Sequence, residues 1–406
     1  MKILFVTENF PPETNAAATR VYERAVYWQK SGHEVTIITC APNFPEGAVF
    51  KGYQNHWYKI EYRSNIRVVR VKTYISPNRG VILRSLDFLS FGFMGFFAGL
   101  FQSKPDIVVA TSPQFFSAVA GWAIAGCRQL PFIFELGDLW PTSISAVGAI
   151  KKGFLINSFE VLELFLYRRA SRIAALTHAF KKNLVYRGID ESKIDVVLNG
   201  VDLPRYAPQS RDREMARKWC LENKFVIGYV GTHGMAHGLK NVLDAAEKLK
   251  ENKNILFLLV GAGAEREKLL DDAKKRSIRN VVFMPMQPKD KMPAVWSLCD
   301  IALVHLKNEP AFSEVIPSKI FEAMAMGLPI LIAIPDGEAS GIVANHTAGI
   351  WVPPENPTAL AKTTQKLFND RPLCDELSAN SMSAAPHYSR SVQAAKMIAV
   401  FEKALS

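Results

Sequence analysis

The chain has 406 residues, 49% hydrophobic and 21% charged, which suits two compact domains of roughly 100–200 residues and excludes disordered or low-complexity material. Net charge is +11, and the excess is lopsided, with 24 Lys and Arg against 16 Asp and Glu in residues 1–205. An anionic substrate or an anionic membrane face therefore ranks above nucleic acid as a partner, because no basic helix or aromatic platform of a nucleic-acid module is present.

Short apolar runs alternate with amphipathic stretches from end to end. Strands are expected over residues 2–7, 34–40, 66–72, 106–110, 132–135, 172–176 and 193–198, with helical patterns between most of them, as over 20–30. The opening apolar run is too short for a secretion signal and reads as the first strand. Six Phe crowd residues 83–101, and the apolar part of that stretch is too short to span a bilayer. It is either a buried helix or an interfacial element that meets a lipid-linked acceptor, with Arg79 and Arg84 near lipid phosphates.

A second series of strands follows over 225–231, 255–261, 281–284, 301–305, 329–333 and 349–352, with helices over 239–250 and 264–276. Strand–helix alternation predicts parallel sheets covered on both faces. The expected organisation is an N-terminal Rossmann-like domain over 1–205, a polar hinge over 206–222 and a second Rossmann-like domain over 223–384. A last helix at about 385–406 is expected to pack back on the first domain. Two doubly wound domains facing across a cleft would bring their ligand loops to it from the strand C-termini. Five dispersed Cys with no C-x-x-C pair fit a reducing compartment, and a cytoplasmic chain is expected.

The segment 312–331, FSEVIPSKIFEAMAMGLPIL, carries the most chemistry. Pro317 suits a first helical turn and Gly327 the residue past the helix end. Ser318 and Lys319 then fall where free N–H groups and the helix dipole attract phosphate. Glu322, a turn further in, is badly placed for phosphate and well placed to accept two hydrogen bonds from a ribose diol. Glu314 precedes it by eight positions, giving Glu-x7-Glu.

With Asn199-Gly200-Val201-Asp202, Gly228-Tyr229-Val230-Gly231, Leu259-Val260-Gly261-Ala262-Gly263 and Gly327-Leu328-Pro329, this element resembles glycosyltransferase family 4 over nearly the whole chain. The resemblance implies the GT-B fold and a retaining hexosyltransferase. It implies a UDP-sugar donor and a glycan acceptor on a polyprenyl carrier, as in bacterial O-antigen, capsule or exopolysaccharide synthesis. By the same resemblance Glu322 binds the ribose, Glu314 contacts the donor sugar and the loop Gly231–Gly238 wraps the diphosphate. Thr232, His233, His237, Lys240, Gly261 and Met284 join the donor set. Relatives often carry an Arg and a Lys here, so His233 and His237 are either phosphate ligands or packing residues. On the N-terminal side Asn15 and Ala16 stand where relatives have two glycines. Gly137 stands where many have His, leaving Asp138 either to touch the donor sugar or to cap a helix.

No Asp-x-Asp and no His/Cys cluster occurs, so no metal cofactor is expected, and Lys, His and helix N-termini would neutralise the leaving diphosphate. A nicotinamide dehydrogenase is excluded, because Arg266 occupies the third glycine position after Gly261-x-Gly263. A UDP-sugar 2-epimerase of the same architecture and a non-catalytic sugar-nucleotide binder remain as alternatives. The basic first half and the Phe-rich run together predict peripheral contact with an anionic membrane.

Overall fold

Near-continuous runs of Val, Ile, Leu and Phe bury both faces of a strand, which is the condition of a central parallel strand between helix layers. The computed structural model describes residues 1–44, 46–75, 81–112, 114–139 and 154–406. It divides into one unit of Met1–Asn199 with Arg390–Ser406 and a second of Gly200–Ser389. Arg79, Lys151, Lys152, residues 140–143 and the Arg84 side chain lie outside what is described.

The first unit contains β1 (Lys2–Val6), β2 (Glu34–Cys40), β3 (Tyr58–Arg63), β4 (Ile66–Val71), β5 (Ile107–Thr111), β6 (Phe132–Leu136), β7 (Arg172–Ala175) and β8 (Ile194–Val196). They pair in the order β3-β4-β2-β1-β5-β6-β7-β8. Every pair is parallel except the hairpin β3–β4. Ser64 and Asn65 turn that hairpin with φ of 49° and 61°, the doubly left-handed geometry a tight hairpin needs. Sequence reading missed β3, because YKIEYR is an edge strand with exposed charges and not an apolar run.

The second unit contains β9 (Phe225–Val230), β10 (Ile255–Val260), β11 (Val281–Met284), β12 (Ile301–His305), β13 (Ile330–Ala333) and β14 (Gly349–Val352). All are parallel, in the order β11-β10-β9-β12-β13-β14. The direction of winding reverses between β9 and β12, and the loops at such a switch point are where α/β sheets bind ligands. Both units are thus Rossmann-like α/β folds.

The chain changes unit at Asn199–Gly200, earlier than residue 205. Residues 206–222 are not a free linker: Tyr206, Ala216, Trp219 and Leu221 are buried in the second unit's core. Their charges, which suggested a hinge, occupy the solvent side. The last helix, Arg390–Leu405, packs on α1 (Ala16–Lys30), where the Trp28 indole donates to the Ala394 carbonyl at 3.0 Å and meets Phe401 edge-on.

Helix α2 (Val81–Leu100) lies on α3 (Phe115–Arg128) and on β2, and at Gly99 any side chain would collide with Ile124. Asp87, Phe91 and Ala98 are buried, whereas Leu86, Leu89, Phe93, Phe97 and the following Phe101 are exposed. The buried-helix reading therefore holds for one face of α2 only. No helix among the described residues is long and apolar enough to cross a membrane.

Candidate active site

The glycines after β9 and β10 bring two loops together backbone to backbone. Gly231, Gly261 and Gly263 adopt φ of 145°, 156° and 151°. A Cβ at Gly261 would strike the Gly231 carbonyl, and one at Gly263 would lie 2.5 Å from the His233 carbonyl oxygen. The His233 N–H donates to the Ala262 carbonyl at 2.8 Å, and the Glu265 N–H donates to the His233 carbonyl at 2.9 Å. Met284, at the end of β11, accepts the Gly261 N–H at 3.0 Å. This pairing buries His233 completely, with neither ring nitrogen hydrogen-bonded.

Three side chains converge on the Tyr229 ring. The Lys319 ammonium sits 3.6 Å from its centroid, and the rings of His233 and His237 lie 6.0 Å away on either loop arm. Lys319 Nζ is buried and makes no hydrogen bond. The ring quadrupole attracts the cation, yet burial draws the ammonium down to about 7, against the partial support of Glu322. Burial, with the charges of Arg266 and Lys319, lowers His233 to about 4. His237 falls to about 3 through burial and Lys319. Both imidazoles are therefore neutral at pH 7. The cluster offers unsatisfied N–H donors and one poised cation to whatever enters, an arrangement suited to an anion.

His305, at the end of β12, braces this loop. Its Nδ1–H donates to the His237 carbonyl at 2.7 Å, and its Nε2 accepts from the Asn241 amide at 2.7 Å. A carbonyl can only accept, so the tautomer is set by that bond. His305, Arg266 and Tyr229 were not among the expected site residues. Their joint role depends on three strands ending side by side, which spacing alone does not reveal. Thr232 is exposed, though its carbonyl accepts from the Tyr229 hydroxyl at 2.8 Å. Lys240 is also exposed, at the first position of helix Lys240–Lys248, so Lys319 and not Lys240 supplies the buried cation.

Glu314 ends the turn Pro310–Glu314, and helix Lys319–Ala325 begins two residues later than Pro317 suggested, with Ser318 at its N-cap and Gly327 just beyond its end at φ 68°. The buried Trp296 indole donates to Glu322 Oε2 at 3.1 Å. That bond aims the carboxylate and fixes its rotamer, which preorganises it for a polar ligand. A Cβ at Gly337 would clash with the Ser313 carbonyl, so Gly337 seats the turn that carries Glu314.

In the first unit, Asn15 caps α1 by accepting the Ala18 N–H at 2.9 Å, and Ala16 opens the helix, exposed. Nearby Glu13 is structural: it is buried and accepts backbone N–H groups of Phe10, Asn43 and Phe44. Asp138 follows β6, half-buried, with its N–H and that of Gly137 both directed at Ser112 Oγ. A side chain at 137 would sit 2.5 Å from the Ser112 carbonyl oxygen and 2.9 Å from Arg20 Nη2, which accounts for glycine there. Beneath it Glu135 is fully buried and pairs with Arg20 at 3.2 Å and with Arg24. Burial pushes this carboxyl up, but the two guanidinium groups hold it below the ordinary range. Among the described residues no group of three His, Cys, Asp or Glu could hold a metal ion.

Residues 17–205 match the family model described as Glycosyltransferase Family 4, and residues 211–383 match Glycosyl transferases group 1. The chain is 26% identical over 373 residues to the putative colanic acid biosynthesis glycosyl transferase WcaI of Escherichia coli, covering 89% of this chain and 90% of WcaI. It is 24% identical to a GDP-mannose-dependent alpha-mannosyltransferase of Mycobacterium tuberculosis, covering 87% of this chain and 84% of that protein. Among solved structures, Anabaena HepE in complex with UDP matches with a TM-score of 0.75 at 18% identity, over 99% of this chain and 100% of HepE.

Proposed function

We propose that this chain, whose two halves match the Glycosyltransferase Family 4 and Glycosyl transferases group 1 models, is a retaining hexosyltransferase that moves a sugar from a UDP-sugar to a polyprenyl-linked glycan in envelope or exopolysaccharide synthesis. The observation that carries this reading is the buried, unsatisfied cluster of Lys319, His233 and His237 around Tyr229 at the β9/β12 switch point. A diphosphate would find there the donors and the cation it needs, and Glu322, held by Trp296, would accept the ribose hydroxyls. Gly231 lets the Lys319 ammonium approach the loop backbone, and Gly261 lets the two loops close on one another. Within the second unit Glu314 is assigned to the transferred sugar; within the first unit Asp138, Asn15 and Ala16 are its own candidate ligand-contacting positions.

In the transfer, the acceptor oxygen bonds to the anomeric carbon as the bond to the diphosphate oxygen breaks. The electron pair leaves with the diphosphate, and the acceptor proton passes to a phosphate oxygen. Lys319 would stabilise the charge that develops on that leaving oxygen. No step requires a metal.

HepE was solved with UDP and the mycobacterial relative uses GDP-mannose, so the nucleobase is the first thing to test. A thermal-shift screen of UDP, GDP and their hexose conjugates should show stabilisation by the uridine series, about 2.7 kcal/mol at 100 times Kd. Stabilisation by GDP alone would overturn the donor assignment. Incubation with the UDP-sugar alone should give slow hydrolysis to UDP, whereas an epimerised sugar would favour a 2-epimerase.

A further inference from the structure

The first sheet has its own switch point, between β1 and β5, where the direction of winding reverses. Beside it, the segments that leave β5 and β6 are joined through one atom, the Ser112 hydroxyl oxygen. It accepts the N–H groups of Gly137 at 2.9 Å and of Asp138 at 3.3 Å, and it donates to the Asp138 carbonyl at 3.2 Å. A serine hydroxyl has one donor and two acceptor positions, so every bond this hydroxyl can make goes to those two residues. The three groups belong to three successive peptide planes. One atom therefore fixes the backbone on both sides of the Asp138 Cα, next to a glycine that has no side chain to anchor the turn.

Ser112 is itself held from behind. It is buried, and its N–H donates to the Glu135 carbonyl at 3.0 Å. The Thr111 hydroxyl donates to the Ser112 carbonyl at 3.0 Å and accepts from Arg20 Nη2 at 3.0 Å. Arg20, on α1, pairs with Glu135, which also holds Arg24, and all of these side chains are buried. Two guanidinium groups and a carboxylate are costly to take out of water, and apolar residues of like volume commonly stabilise as well or better. What the network supplies is a fixed geometry, and the half-buried Asp138 stands at its open end.

We propose that Ser112 is a positioning residue for the transfer reaction: it sets the backbone from which Asp138 presents its carboxylate, with Thr111 and Arg20 holding Ser112 in turn. The inference rests on the reading of Asp138 as a ligand-contacting residue of the first unit. A misplacement of about 1 Å in a group that orients substrate can lower a rate on the order of 100-fold, so a clamp of this kind is visible in kinetics.

The test is a double-mutant cycle in the full chain, read as the rate at which UDP is released from UDP-glucose. Asp138→Asn and Ser112→Ala should each lower kcat by roughly tenfold or more. Calorimetric affinity for UDP should not change, because UDP is assigned to the second unit. Ser112→Thr, which keeps the hydroxyl, should recover most of the rate. In the Asp138→Asn background Ser112→Ala should lower kcat by less than about twofold, since residues that act as one unit are not additive. A Ser112 that only supports the fold would give the same loss in both backgrounds. Thr111→Val, which removes only the hydroxyl behind Ser112, should show a smaller loss of the same kind and replaces Ser112→Ala in the cycle if that variant does not fold. Hydrogen exchange at the Gly137 and Asp138 amides should quicken in Ser112→Ala.

Full kcat in Ser112→Ala, a loss that persists undiminished in Asp138→Asn, or unchanged exchange at the two amides overturns the inference and leaves the donor reading in place. Full kcat in Asp138→Asn with UDP still bound removes Asp138 from the reaction, and the role of Ser112 with it. Failure of the chain to bind UDP rejects the donor reading, and with it the reaction that Ser112 is proposed to serve.

Discussion

Binding of a nucleoside diphosphate should draw a proton from solution, and Lys319 should be where it goes. Burial holds this ammonium at about 7. At pH 8 such a group is about 90% deprotonated, by the ordinary titration relation. A terminal phosphate, with its second pKa near 6, is already fully ionised at that pH, so it contributes no proton of its own. Placing that anion against Lys319 favours the charged form and returns the lysine toward its ordinary range. The expected uptake is therefore about 0.9 proton per UDP at pH 8 and about 0.4 at pH 7, where the phosphate itself still releases about 0.1. The sign follows: the bound state holds more protons, so affinity falls as pH rises above 7, approaching tenfold per unit. Calorimetry of UDP binding in buffers of different ionisation enthalpy measures the uptake directly. Lys319→Met should abolish it and weaken binding while the second unit stays folded. A buffer-independent enthalpy at pH 8, or the same uptake in Lys319→Met, would refute this placement. Uptake well above one proton would mean that His233 or His237 also becomes charged.

Glu322→Ala should cut UDP affinity at least tenfold, since hydrogen bonds to a charged group contribute about 1.5–3 kcal/mol each; unchanged calorimetric affinity would remove Glu322 from the ribose. Glu135→Ala leaves Arg20 and Arg24 buried without their carboxylate, so urea unfolding should report a loss of about 3–5 kcal/mol. A loss under about 1 kcal/mol would show that water reaches those guanidinium groups. Transfer measured with excess EDTA should equal transfer with magnesium, and a large loss restored by magnesium would bring a metal into the mechanism.

Much of the fold was legible in the chain because burial on both faces leaves a strand no polar positions. Runs such as KILFV, IVVAT and ILFLLV announce central strands wherever they occur. The restart of the strand series near residue 225 announced a second unit, and Pro317 and Gly327 announced the helix that carries Glu322. What was illegible depended on neighbours remote in sequence. Strand β3 carries charges because it has solvent on one edge. The polar segment 206–222 hides Tyr206, Trp219 and Leu221 in the second unit's core. Gly137 is glycine because Ser112 and Arg20 fill the space a side chain would need.

The site divides the same way. Its residue types were written in the sequence: a lysine, two histidines, two carboxylates and the glycines that let loops touch. Their electrostatic state was not. Lys319 becomes a poised cation, and His233 and His237 neutral donors, only because β9, β10 and β12 end side by side and bury all three around Tyr229. Composition and spacing select which groups a chain possesses, whereas burial and the charges across from them set the protons those groups carry. That second decision belongs to the tertiary structure.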